Sequence, residues 1–137
     1  MQGLVDSASN YIYHDQDALL KYNKKLLREA KKNKNKYYEA VAYRFQGFHH
    51  KRNSQYDSSF YYLAKAEELA LEMKDDSLLV KIYFTLANTY LENFDYYLAL
   101  ETTEKMKVHA KKVGFTDTQL GSNHQLGRIY LSCMLYD

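Results

Sequence analysis

The sequence has no proline, one cysteine, five glycines, and few β-branched aliphatic residues (five valines and three isoleucines). Proline removes a backbone donor and breaks helix interiors, so its absence lifts the strongest local bar to long helices. The single cysteine, Cys133, excludes an internal disulfide framework and a cysteine metal cluster. No run approaches the roughly eighteen apolar residues of a membrane span, and no secretory-signal pattern opens the chain. Charge of one sign is also missing. The formal net charge is +2, a balance that neither demands nor excludes an anionic partner. What is abundant is Lys, Glu, Leu and Ala, a mix of high helix propensity. At 137 residues the chain is one domain's worth, long enough to bury a core. These properties together predict an all-α protein.

The apolar residues recur at helical spacing nearly throughout. The pattern predicts seven helices, at about residues 3–13, 16–33, 37–52, 56–74, 77–92, 95–113 and 117–134. Polar joints separate them, among them Asn33-Lys34-Asn35, Asn53-Ser54, Asp75-Asp76 and Asn93. Asp17, Asp57, Asp76 and Asp95 lie near predicted helix starts, where a carboxylate can cap free N–H groups and meet the positive end of the dipole. Gly114 follows a helix whose last turn is rich in lysine, a C-terminal signal. Joints this short fold successive helices back on one another as antiparallel pairs.

A forty-residue ruler of small residues runs along the chain. Gly47, Ala87 and Gly127 share that spacing, as do Ala30, Ala70 and Ala110. The same offset matches Tyr22 with Tyr62, Tyr43 with Tyr83 and Tyr56 with Tyr96. It also matches Leu86-Ala87 with Leu126-Gly127, and Tyr90-Leu91 with Tyr130-Leu131. Small residues at fixed helical positions mark close backbone approach, and a period of this size is the mark of stacked repeats.

The residues that recur carry a resemblance to a known family. Tyr83-Phe84-Thr85-Leu86-Ala87-Asn88-Thr89-Tyr90, followed by Asn93-Phe94-Asp95-Tyr96-Tyr97-Leu98-Ala99-Leu100, resembles a tetratricopeptide repeat. That family has an aromatic, a Leu–Gly/Ala pair and a Tyr on its first helix, then a Gly-Asp-Tyr turn and a small residue. Phe94 stands where the turn glycine is usual. Gln46-Gly47, Tyr56, Ser59 and Ala66 repeat part of the pattern, as does Leu126-Gly127-Arg128-Ile129-Tyr130, while 1–39 retains only Ser7 and Ala30. The resemblance implies a right-handed α-solenoid of antiparallel helix pairs forming one domain over 1–137. Its units would be about 1–39, 40–79, 80–119 and a truncated 120–137. Forty residues exceeds the usual repeat length of the family and is similar to the lengthened repeats of bacterial regulatory members, which act in signalling and transcription regulation.

In this family the first helix of each pair lines the concave face. The resemblance therefore implies a non-catalytic scaffold binding a peptide or protein segment. The face would be formed by Arg44, Phe48 and Lys51, then Lys81, Phe84, Asn88 and Leu91, then His124, Arg128 and Leu131. Within each set the steps are three or four residues, so each set shares one helix face. Asn can bond a peptide backbone in two directions, and Arg or Lys can hold a carboxylate. No cofactor, metal or small-molecule substrate is expected.

The alternative is nucleic-acid or anionic-partner binding through a basic stripe. Residues 21–36 hold Lys21, Lys24, Lys25, Arg28, Lys31, Lys32, Lys34 and Lys36 against one acid, Glu29. No Gly-rich phosphate loop or recognition-helix motif accompanies it, so nucleic acid is not the expected partner, and a solvated helix face is the simpler reading. The fifteen tyrosines recur at helical and repeat spacing, as packing residues do. Adjacent His49 and His50 point to different sides of a helix and form no ligand pair. Cys133 reads as a small apolar residue. The last unit has a first helix and no second, so Ile129, Leu131, Met134 and Leu135 await a cover. Either the natural protein continues beyond Asp137, the favoured expectation, or the edge pairs with a second copy as a homo-oligomer.

Overall fold

The computed structural model describes residues 1–11 and 15–114, and the regular structure among them is entirely helical. Six helices follow in order: α1 (Gln2–Tyr11), α2 (Gln16–Lys32), α3 (Lys36–Arg52), α4 (Tyr56–Met73), α5 (Asp76–Glu92) and α6 (Tyr96–Lys112). The all-α expectation holds. From α2 to α6 both ends of every helix fall within one residue of the sequence pattern. The expected seventh helix, with His124, Arg128, Leu131 and Cys133, lies outside the described residues.

The chain divides into two compact units, the first being Met1–Lys74 and the second beginning at Asp75. In the first, α1 packs on α2, α2 on α3, and α3 most extensively on α4. Its core is Leu19, Leu26 and Ala30 of α2, Ala42, Phe45 and Phe48 of α3, and Leu63, Ala66 and Ala70 of α4. In the second, α5 packs on α6 around Leu79, Ile82, Tyr83 and Ala87 from one helix and Ala99, Met106 and Ala110 from the other. Burying one such Leu or Ile side chain contributes about 1.5–3 kcal/mol. Four threonines enter this second core without stranding a hydroxyl, because each returns its Oγ1 proton to the carbonyl four residues back. Thr89 bonds Thr85 at 2.8 Å, for example, and Thr103 bonds Ala99 at 2.8 Å.

The joints share one backbone geometry. Lys34, Ser54, Lys74, Phe94 and Gly114 have φ of 52°, 58°, 54°, 63° and 90°, and each follows the last by twenty residues. At 34, 54 and 94 the joint closes by the same pair of bonds. The left-handed residue's N–H returns to a carbonyl three back, as Lys34 does to Lys31 at 3.2 Å, and the next N–H returns five back, as Asn35 does to Ala30 at 2.8 Å. The chain then turns extended and starts a new helix. Asp15, Asn35 and Asp75 cap these starts, accepting from the N–H of Ala18, Tyr38 and Leu78 at 3.0–3.1 Å. The expected caps thus shift by one or two positions. Asp17, Asp57 and Asp76 sit inside the first turn, where they meet the dipole without capping. Asp95 occupies the cap position of α6 without a cap bond and instead accepts from Asn93 Nδ2 at 2.8 Å.

The small-residue ruler marks real contacts. A Cβ added to Gly47 would stand 2.7 Å from Leu63 Cγ and 2.9 Å from its Cδ2. Ser59 of α4 donates its hydroxyl proton to the Gly47 carbonyl at 2.8 Å. One period on, Ala87 and Ala99 take the places of Gly47 and Ser59, both fully buried in a cluster with Leu91. Ala30, Ala70 and Ala110 are likewise fully buried.

Four substitutions have distinct expected outcomes in urea denaturation. Gly47→Ala gains helix propensity but pushes into a fully buried leucine, so it should lose about 1–2 kcal/mol net. Gly3→Ala, whose Cβ meets nothing within 4 Å, should gain about 0.5 kcal/mol. Phe94→Gly should stabilise by about 1 kcal/mol, because a side chain at positive φ costs about that much. Phe94→Ala retains the Cβ and should show no such gain.

Candidate functional site

The first candidate set lies on α3. Arg44 and Lys51 are half-buried, and Phe48 is 8% exposed beneath them. Lys51 Nζ stands 5.1 Å from the centre of the Phe48 ring, and the Arg44 guanidinium 5.7 Å from that of Phe45. The face is thus two cations above an aromatic floor, with each cation held against a ring. The helix places the three residues together as their spacing implies.

The second set lies on α5 and is more deeply set. Lys81 is exposed and Phe84 half-buried, whereas Asn88 is 3% and Leu91 9% exposed. Leu91 packs with Ala87 and Ala99 in the α5–α6 core. Asn88 donates from Nδ2 to the Phe84 carbonyl at 3.1 Å, while its Oδ1 is buried with no hydrogen-bond partner. A buried acceptor left this way is open to an ordered water or a ligand N–H. His124, Arg128 and Leu131 lie outside the described residues.

A polar seam between α2 and α3 has no counterpart in the sequence reading. Asn23, 2% exposed, donates to the Ala42 carbonyl at 3.0 Å and to Gln46 Oε1 at 3.3 Å. Gln46 Nε2 meets His50 Nε2 at 3.3 Å, and His50 Nδ1 meets Gln55 Oε1 at 2.8 Å. These contacts fix a tautomer in which His50 Nδ1 donates and Nε2 accepts. The His50 ring stacks on Tyr62, with centroids 5.3 Å apart and planes 3° apart. His49 turns the other way and meets Gln16 Oε1 through Nδ1 at 2.9 Å. The two histidines therefore serve different partners, although their rings touch edge to face. The signal for the seam was Asn23 itself, a polar residue at a core position between Leu19 and Leu26.

In the second unit, His109 Nδ1 lies 2.6 Å from Asp76 Oδ1, joining the last turn of α6 to the first turn of α5. The Asp76 carboxylate sits at the helix end that favours negative charge, and the short contact ties the two helices together. Among the described residues no three His, Cys, Asp or Glu side chains converge as metal ligands would, and no helix is long and apolar enough to cross a membrane.

No family model matches the chain, and neither a curated protein nor a solved structure matches it significantly. The tetratricopeptide resemblance is carried by the motif residues alone.

The His49 environment predicts a pH response. Burial, with the neighbouring His50 adding to it, pushes its pKa below the ordinary 6.5, and Asp17 opposes the shift. The unfolded chain therefore binds this proton more tightly than the folded one. Stability from this group is present above about 6.5 and is lost as pH falls below it toward the lowered folded value. Urea midpoints should drop between about pH 7.5 and 5.5, and His49→Gln should shrink the drop; an equal drop in the variant would assign it elsewhere.

Proposed function

We propose that the chain is a non-catalytic binding scaffold, a tetratricopeptide-like solenoid of stacked helix pairs that takes a peptide or protein segment on the faces of α3 and α5. The observation that carries this reading is the recurrence of one left-handed joint at residues 34, 54, 74, 94 and 114. A joint repeated at fixed spacing makes each helix begin the next equivalent step, which is how repeat arrays grow. The small-residue contacts at Gly47 and Ala87, one period apart, support the same reading.

The side chains on the two faces suit a peptide. Arg44, Lys51 and Lys81 supply cations for carboxylates, Phe48 and Phe84 supply aromatic area, and Asn88 supplies a carbonyl acceptor. This is recognition chemistry, in which a few anchors carry most of the affinity. A signalling or regulatory setting is the context such a module implies.

Peptides selected from a random library on the unmodified chain provide the test. Against an Arg44→Ala, Lys51→Ala, Lys81→Ala variant with an unchanged circular dichroism spectrum, they should bind about tenfold more weakly or worse, corresponding to at least about 1.4 kcal/mol. Equal affinity would remove these faces from the site.

A further inference from the structure

Helix α2 buries Leu19, Asn23, Leu26 and Ala30 and turns a different kind of surface outward. That surface carries Lys21, Lys24, Lys25 and Arg28, followed by Lys31 and Lys32 in the last turn, all exposed. Among the described residues none of these six is ion-paired. The last two sit at the helix end that favours positive charge. The first four do not. Lys21 with Lys25, and Lys24 with Arg28, are like charges one turn apart, an arrangement that destabilises a helix.

A merely solvated face does not need this bias. One period along, α4 carries Tyr61, Ala64, Lys65 and Glu68 at the positions equivalent to Lys21, Lys24, Lys25 and Arg28. One further, α6 carries Glu101, Glu104, Lys105 and Val108. Those helices mix signs and apolar residues, and α2 alone is uniformly basic there.

Two shallow cavities adjoin the row, of about 450 and about 410 Å³, and both are lined by Lys25 and Arg28. The first adds Asp17 and Leu20 with Lys21 and Lys24. The second, toward α1, adds Met1, Leu4 and Glu29. The surface is therefore mainly cationic, four cations against one carboxylate in the first cavity and two against one in the second, with an apolar part to each floor.

We propose that the outer face of α2 is a second docking site, and that it takes an acidic protein segment in which Asp or Glu residues alternate with apolar side chains. Carboxylates meet the cations, with Arg28 able to hold one bidentately. The apolar side chains enter beside Leu20 and Leu4. Nucleic acid fits less well. Bases bind by stacking on open ring faces, and the rings here, Tyr11 and Tyr22, are stacked on each other at 5.7 Å and 4°. Lys21 and Lys25 further engage Tyr22, each 5.9 Å from its centre. A sugar–phosphate chain would also leave the apolar floors unused.

The test is a fluorescence-anisotropy titration of the full chain against a short labelled peptide of repeating Glu-Glu-Leu. Its isostere of repeating Gln-Gln-Leu, a labelled oligothymidylate and a labelled DNA duplex serve as comparisons. The acidic peptide should bind about tenfold more tightly than its isostere and weaken about tenfold between roughly 50 and 300 mM salt. A Lys24→Glu, Arg28→Glu variant should lose most of that binding, a Lys24→Gln, Arg28→Gln variant part of it. The Arg44→Ala, Lys51→Ala, Lys81→Ala variant should retain it, which separates this site from the faces of α3 and α5. Equal binding of acidic peptide and isostere, or binding untouched by the α2 substitutions, would overturn the proposal. Tighter binding of either oligonucleotide than of the acidic peptide would overturn it in favour of a polyphosphate partner.

Discussion

Everything in the first unit is built around the approach of α4 to α3 at Gly47. Gly47 itself contributes no side chain to the contact. The carbonyl of Gly47 takes a hydroxyl proton from Ser59, and Leu63 fills the space a Cβ would claim. This contact sets how closely the helices lie, and their spacing sets which side chains of α3 are covered. Phe48, one residue beyond the contact, is drawn to 8% exposure, while Arg44 and Lys51 are left half-buried on the same face. The second unit uses the same device in milder form, with Ala87 against Ala99. There a purely apolar pair stands where the first unit has the hydroxyl–carbonyl bond.

The joints are the second constraint, and the residues that occupy them are unexpected ones. Lys34, Ser54, Lys74 and Phe94 hold a left-handed conformation that glycine would adopt without strain. Each can be held there because the helices on either side are fixed by packing and the joint's own bonds are satisfied. A positive φ recurs at a twenty-residue step through Lys, Ser and Phe alike, so the step does not depend on which residue occupies the joint.

This explains what the sequence shows and what it hides. Helices α2 to α6 are legible to within a residue, because a proline-free chain with 3.6-residue periodicity leaves few alternatives. The close contacts were legible too, since only Gly, Ala or Ser fits them. The left-handed joints were not, because Lys, Ser and Phe announce no such conformation; Gly114 alone did. Capping was misplaced because paired candidates such as Asp15 and Asp17, or Asp75 and Asp76, look alike until the first turn is placed. In the candidate faces, spacing showed which residues share a side but not how deep that side lies. Lys81 is exposed while Asn88, two turns on, is almost fully buried. The Asn23–Gln46–His50–Gln55 seam depends on contacts between residues up to 23 positions apart, which no local pattern carries.

The two kinds of surface follow from the same architecture. Helices that pack on both sides, as α3 does on α2 and α4, leave only a narrow mixed face, suited to a few specific anchors. Helix α2 also packs on two neighbours, α1 and α3, but its exposed positions include Lys21, Lys24, Lys25, Arg28, Lys31 and Lys32, and there the chain concentrates positive charge. Both readings depend on the repeated helix–joint–helix step, and backbone NMR shifts test that step most directly. Left-handed shifts, with strong intraresidue N–H to Hα cross-peaks, are expected at residues 34, 54, 74, 94 and 114, each closing a segment with helical shifts. Helical shifts running unbroken through any of these positions, or left-handed residues at irregular spacing, would contradict it.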